Sequence, residues 1–203
     1  MTSLRHNASG DEPSRTPRDL HLDAARACLL DLGWRRTTLT EVARRAGVSR
    51  MTIYRTWADM PSLLGDLMTR EWTGVFEAAL DKADPALPRV ERLVATITAA
   101  IRVLRVNELF VRIVELDPEL ILPYVLDRRG RSQDFVLGVL EAEIEAGQKA
   151  GEIRPGPSTA IARGLLLATH GFVLSAHTMA DDTVDEGSID AELALLLSRG
   201  LVP

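Results

Sequence analysis

The chain is predicted to be all-α. Apolar residues recur at helical spacing along most of its length. The 46% hydrophobic share is mainly Ala, Leu and Val, with only three Trp, two Tyr and four Phe, a composition that suits helices. No run joins β-branched or aromatic enrichment to strict alternation, so no sheet is expected. The 203 residues suffice for one or two domains, since domains commonly run to about 100–200 residues.

Residues 1–16, with Asn7, Ser9, Gly10, Pro13 and Ser14, read as a disordered arm. From Pro17 to Leu32, Leu20, Ala24, Ala27, Cys28 and Leu32 mark a helix that Gly33 stops. Thr38-Leu39-Thr40-Glu41 reads as a capping box, with Thr38 Oγ accepting from the Glu41 amide and the Glu41 carboxylate reaching back. It opens a short helix, Leu39 to Ala46. Gly47 suits the left-handed turn that follows, and Ser49 caps a second short helix, Arg50 to Trp57. Asp59 and Pro61 start a helix to about Ala83. Further helices are expected at about Val90–Val106, Glu108–Glu115, Asp117–Arg128, Ser132–Ala150, Ser158–Met179 and Ser188–Arg199, punctuated by Pro85, Pro88, Gly130, Gly151, Pro155 and Pro157.

Lone Cys28 excludes a disulfide framework and suits a reducing cytoplasm. The polar stretch Met1–Pro17 lacks an apolar signal core. The longest apolar stretch, Gly164 to Ala176, is shorter than the roughly 18 residues a membrane span requires, so no membrane partner is expected. The net charge of −5 hides an asymmetry. Residues 1–57 hold 10 Arg against 6 acidic residues, a net of +4, and residues 58–203 carry −9. A basic head on an acidic body fits a DNA reader with a second domain. Charge alone fits a solvated surface equally well, and the motifs decide.

Two short helices joined at Ala46-Gly47-Val48-Ser49 have helix-turn-helix spacing. Val42, Ala43, Ala46, Val48, Ile53 and Trp57 occupy the inward positions, which leaves Arg50, Met51, Thr52, Tyr54 and Arg55 outward. A recognition helix needs such a face, because its first turn meets base edges in the major groove. Arg50 or Arg55 suits a bidentate contact to guanine, Thr52 a base edge or thymine methyl, and Tyr54 a phosphate. Arg35, Arg36, Arg44 and Arg45 lie where they could contact backbone phosphates, Arg15 and Arg18 could join them from the arm, and Thr38 and Ser49 complete the expected DNA-binding residues.

The stretch Thr37 to Trp57, above all "TTLTEVARRAGVS" and "TIYRTW", resembles the DNA-binding signature of the tetracycline-repressor (TetR) family, over about residues 17–64. The carboxy-terminal part is similar only in length, helix count and the Gly151-Glu152-Ile153-Arg154-Pro155 break. The resemblance implies a DNA-binding head at 17–57 and a ligand-binding and dimerisation domain at 58–203. It also implies a regulator, in the family's manner a repressor, that leaves a near-palindromic double-stranded operator when a small-molecule effector shifts the fourth helix. The family often carries a phosphate-contacting lysine at the start of that helix, where this chain has Met60. Loss of that contact would flatten the salt slope by about 0.9.

For the effector, Trp72, Phe76, Phe110, Tyr124, Phe135 and His170 are the expected pocket residues, on helices that would surround a cavity. His170 and His177, seven apart, suit an anionic ligand or metal, or a hydrogen-bonded place in an interface. The last two helices are apolar on more than one face, and Gly164, Ala168, Gly171 and Ser175 form a small-residue stripe. A homodimer through these helices is expected.

No cofactor or metal site is expected. The sequence lacks His-Glu-x-x-His, paired-cysteine spacing, a P-loop, a dinucleotide glycine fingerprint and Gly-x-Ser-x-Gly. Glu141, Glu143 and Glu145 alternate, so on a helix they are expected to solvate its surface. Catalysis is therefore not expected. The competing reading is a helical protein-interaction regulator with weak or lost DNA binding. Met60 favours it, and the basic face of Arg44, Arg45, Arg50 and Arg55 opposes it.

Overall fold

Helix-breaking residues and caps set the elements of the computed structural model, which describes residues 15–203. The proposed arm lies outside the described residues apart from Arg15 and Thr16. The described residues form α1 (Pro17–Leu32), α2 (Leu39–Ala46), α3 (Arg50–Thr56), α4 (Met60–Asp81), α5 (Arg89–Arg105), α6 (Glu108–Leu116), α7 (Leu122–Leu126), α8 (Arg131–Ala150), α9 (Ser158–Ser175) and α10 (Glu186–Leu201), with no strand among them. Short 3-10 turns occupy Trp34–Arg36, Pro118–Leu120 and Ala176–Met179.

Three expected elements are corrected. The helix placed at Asp117–Arg128 is broken in two, because Pro123 has no amide hydrogen to continue the ladder from the preceding turn. The helix expected to reach Met179 leaves α geometry at Ser175. The last helix starts earlier than Ser188, because the Asp185 carboxylate accepts from the Ser188 amide (2.6 Å) and caps it.

The described residues divide into two compact units, one up to Leu64 and one at Gly65–Pro203. In the second unit, α5 contributes Leu93, Val94, Ile97 and Ile101 to a core shared with Leu137, Leu140 and Ile144 of α8, Ile161, Leu165 and Val173 of α9, and Leu193 and Leu197 of α10. Arg105 ties three of these helices together. Its side chain is only 11% exposed; Nε and Nη2 donate to the Phe172 carbonyl of α9 (3.1 and 2.9 Å), and Nη2 lies 2.9 Å from Asp190 of α10. Glu143 does not solvate the surface as expected. Arg89 donates to it at 2.7 Å and also binds Glu152 at 2.9 Å, which joins the start of α5 to α8 and to the turn that follows α8.

By averaged apolar content, Ser158–Met179 is long enough to cross a membrane, contrary to the sequence expectation. That expectation ended the stretch at Arg163 and His177, whereas an average absorbs both. Only a third of the most apolar stretch is buried, so α9 presents apolar surface that the rest of the unit leaves uncovered.

Gly147 marks a close approach. A Cβ there would lie 2.6 Å from Ile153 Cδ1 and 2.8 Å from Arg89 Cδ, and Ile153 is itself buried. Gly147→Ala is expected to destabilise the fold by about 1–3 kcal/mol through overpacking, read as a lower denaturation midpoint at unchanged slope.

Candidate nucleic-acid interface

The first unit is built on capped, short helices. Thr16 and Asp19 form a reciprocal capping box on α1: Thr16 Oγ1 accepts from the Asp19 amide (3.2 Å), and the Asp19 carboxylate accepts from the Thr16 amide (3.1 Å). The Thr-x-x-Asp spacing with Pro17 at the first helical position signals this box, and sequence reasoning missed it. At Thr38 the expected box is only half formed. Thr38 Oγ1 accepts from the Glu41 amide (3.2 Å), but the Glu41 carboxylate turns to Arg44 instead. A guanidinium offers it two charge-assisted bonds, more than a single amide can.

Gly47 ends α2 in the left-handed region (φ 68°), a backbone that residues with a Cβ avoid. Its amide donates back to α2, and Ser49 Oγ accepts from the Thr52 amide (3.2 Å) to open α3. Val42, Ala43, Ile53 and Trp57 are buried as expected, Ile53 at 0% and Trp57 at 2% exposure. Ala46 and Val48 are only half-buried. Opposite them stand Met51 (68% exposed) and Tyr54 (43%) with exposed Arg50 and Arg55. Thr52 is half-buried, and its hydroxyl lies 2.9 Å from Ser49 Oγ. The Arg50 guanidinium lies over the Tyr54 ring, 5.9 Å from its centroid.

The expected phosphate-contacting arginines are already engaged. Arg44 donates twice to Glu41 (2.9 and 2.6 Å), Arg45 donates to Asp31 (2.5 Å), and Arg36 Nε donates to the Leu32 carbonyl (3.0 Å). The Arg44 hydrogen bond holds the Glu41 carboxyl below its ordinary pKa. Exposed pairs of this kind contribute little to stability, so a phosphate competes for these guanidiniums at small cost. Arg15 pairs with Asp23 (3.3 Å), and Arg18 lies over the Trp57 ring at 5.6 Å. Arg35 is exposed beside Arg36 in the 3-10 turn. Arg55 makes no ion pair with a described residue.

In the second unit, Trp72 and Phe110 meet edge to face at 5.6 Å, and both join Phe76 and Phe135 in one apolar cluster. Gln133 links the Tyr124 main-chain carbonyl to the His170 ring. Burial lowers the His170 pKa. His177 is exposed in the 3-10 turn beyond α9, whereas His170 is half-buried. No three His, Cys, Asp or Glu side chains among the described residues form a metal-binding group. A groove of about 320 Å³ runs between α9 and α10, lined by Ile161, Gly164, Leu165, Leu196, Leu197 and Leu201 among others.

Residues 22–67 match the family described as bacterial regulatory proteins, tetR family. An HTH-type transcriptional regulator of Mycobacterium tuberculosis, Rv2250c, is 34% identical over 178 residues, spanning 87% of this chain and 90% of that one. The transcriptional repressor QsdR of R. erythropolis, a TetR-family structure, superposes with a TM-score of 0.66 at 16% identity, covering 94% of this chain and 98% of its own. The SmeT–triclosan complex superposes with a TM-score of 0.61 at 22% identity, covering 93% of each chain.

Ile53→Ala is expected to cost about 2–5 kcal/mol, since it empties a fully buried site in a small core. Ser49→Ala is expected to cost only about 1 kcal/mol through loss of the cap. Thermal unfolding of both variants checks that order.

Proposed function

This chain belongs to the TetR family of transcriptional regulators with a helix-turn-helix DNA-binding head, and from that premise we propose that it is an effector-released repressor acting as a homodimer. The observation that carries the reading is the polarity of α3. Ile53 and Trp57 are buried while Arg50, Met51, Tyr54 and Arg55 face solvent, the disposition a recognition helix requires. In this reading Arg50 or Arg55 contacts a guanine edge, Thr52 contacts a base edge or thymine methyl, and Met51 lies on the same DNA-binding face. Tyr54, Ser49, Thr38, Arg36, Arg44 and Arg45 contact the phosphate backbone. Met60 at the start of α4 leaves that point without a cationic contact, which lowers affinity and leaves base reading intact.

The partner is a second copy of the chain. Leu167 of α9 is 70% exposed and Leu196 of α10 is 64% exposed, and a Cβ added at Gly164 or Gly171 meets nothing within 4 Å. Small residues around exposed leucines let a symmetry-related helix pair approach closely, as an isologous interface requires. Two heads so joined would read half-sites roughly 34–36 Å apart, which implies a near-palindromic operator. The effector would be a small molecule held near Trp72, Phe76, Phe110, Tyr124, Phe135 and His170. The SmeT complex with triclosan supports a ligand role for this fold. Regulation rather than catalysis, and action in the cytoplasm, follow from the same reading.

The test is affinity for a duplex selected from random sequence. Arg50→Ala is expected to weaken binding by about 1–3 kcal/mol and relax one base position. Arg44→Ala is expected to weaken all sequences alike and reduce the salt slope by about 0.9. Unchanged affinity in both Arg50→Ala and Tyr54→Phe would sink the assignment. Leu167→Arg is expected to turn the dimer into a monomer in sedimentation experiments.

A further inference from the structure

The segment leading into α8 carries a hydrogen-bond chain that DNA recognition does not use. Gln133, in the first turn of α8, accepts from the Gly130 amide at Oε1 (2.7 Å) and donates from Nε2 to the Tyr124 carbonyl of α7 (3.1 Å). The same nitrogen lies 3.3 Å from Nε2 of His170 on α9. The backbone fixes the direction of this chain. An amide N–H only donates and a carbonyl only accepts, so the Gln133 side chain cannot be turned over without losing both partners. Its nitrogen therefore presents an N–H to His170, whose Nε2 must be the bare nitrogen with its proton on Nδ1. An imidazolium carries N–H on both nitrogens and would set donor against donor.

We propose that the Gln133–His170 contact is a proton-sensitive latch that holds the Tyr124–Gly130 segment to α9 only while His170 is neutral. Beyond Gln133 itself and Ile121, which packs against the core just before it, the segment has few anchors. No residue of α7 is buried, and Leu122, Val125 and Leu126 are exposed. Arg128 lies over the Tyr124 ring at 5.2 Å, within the segment itself.

Burial is what pushes the His170 pKa below its ordinary value. His177, in the 3-10 turn packed against α9, is exposed, and several charged groups on neighbouring elements have partners of their own. Arg105 of α5 binds Phe172, Glu186 and Asp190, and Arg102 binds Thr98. Arg129 pairs with Asp134, and Arg131 with Asp66. The unfolded chain, with its higher imidazole pKa, takes up the proton first. The latch's contribution is therefore complete above the ordinary imidazole value and is lost as pH falls below it toward the lowered folded value.

Hydrogen exchange of the peptide covering 121–130 in the full chain tests the latch, compared at about pH 7.5 and about pH 5.5 and corrected for chemical exchange. Opening is expected to be faster at the lower pH than at the higher one in the native protein. His170→Gln, whose amide oxygen can still accept from Gln133, is expected to show no such rise. Nitrogen-15 spectra of labelled histidine should show His170 protonated at Nδ1 near neutral pH. Equal opening at both pH values, the same rise in His170→Gln, or a proton on Nε2 would each overturn the proposal.

Discussion

A seven-residue helix makes too few hydrogen bonds of its own to survive in water, so α3 exists because something else holds it. Ile53 and Trp57 are packed out of solvent, and Ser49 closes the first turn. The burial that stabilises the helix also orients it. With its apolar edge fixed inward, the remaining side chains of a single short helix must face out. Stability and the reading face therefore follow from the same few contacts.

The second unit rests on a broader arrangement. Its apolar core runs through α5, α8, α9 and α10, and polar fasteners lock those helices in register. Arg105 matters most among these, because one guanidinium reaches a main-chain carbonyl on α9 and a carboxylate on α10. A nearly buried arginine is costly unless its donors are met; the Phe172 carbonyl and the Glu186 carboxylate accept from it, and Asp190 adds an opposite charge.

Much of the head was legible in the sequence, because its signals are local. Gly33, Thr38, Gly47 and Ser49 sit within a turn of the backbone they cap, and the helix bounds at 17–32 and 39–46 agree with the structure. Where a local signal had competition, the reading failed. Glu41 fits a capping box by spacing, but spacing does not show that Arg44 claims its carboxylate. Thr16 and Asp19 were overlooked because they sit beside the polar arm. Between Asp117 and Arg128 an apolar pattern outweighed Pro123, although a missing amide interrupts a helix whatever its pattern. The links from Gln133 to His170 and from Arg105 to Phe172 span 37 and 67 residues, distances over which periodicity carries no information. The solvent-facing side chains of α3 could be placed by elimination around a helix. The aromatic residues of the second unit could not, since a core and a cavity draw on the same residue types.

The ion pairs on the outer face of the head have a kinetic consequence. With Arg44 matched to Glu41 and Arg45 to Asp31, the unbound surface projects a weaker positive field than its arginine content suggests. Nonspecific adhesion to nucleic acid scales with the counterions a protein displaces, so these carboxylates shorten each stay on arbitrary sequence. In the proposed reading such a surface trades grip for speed, because a phosphate must first draw each guanidinium away from its own carboxylate.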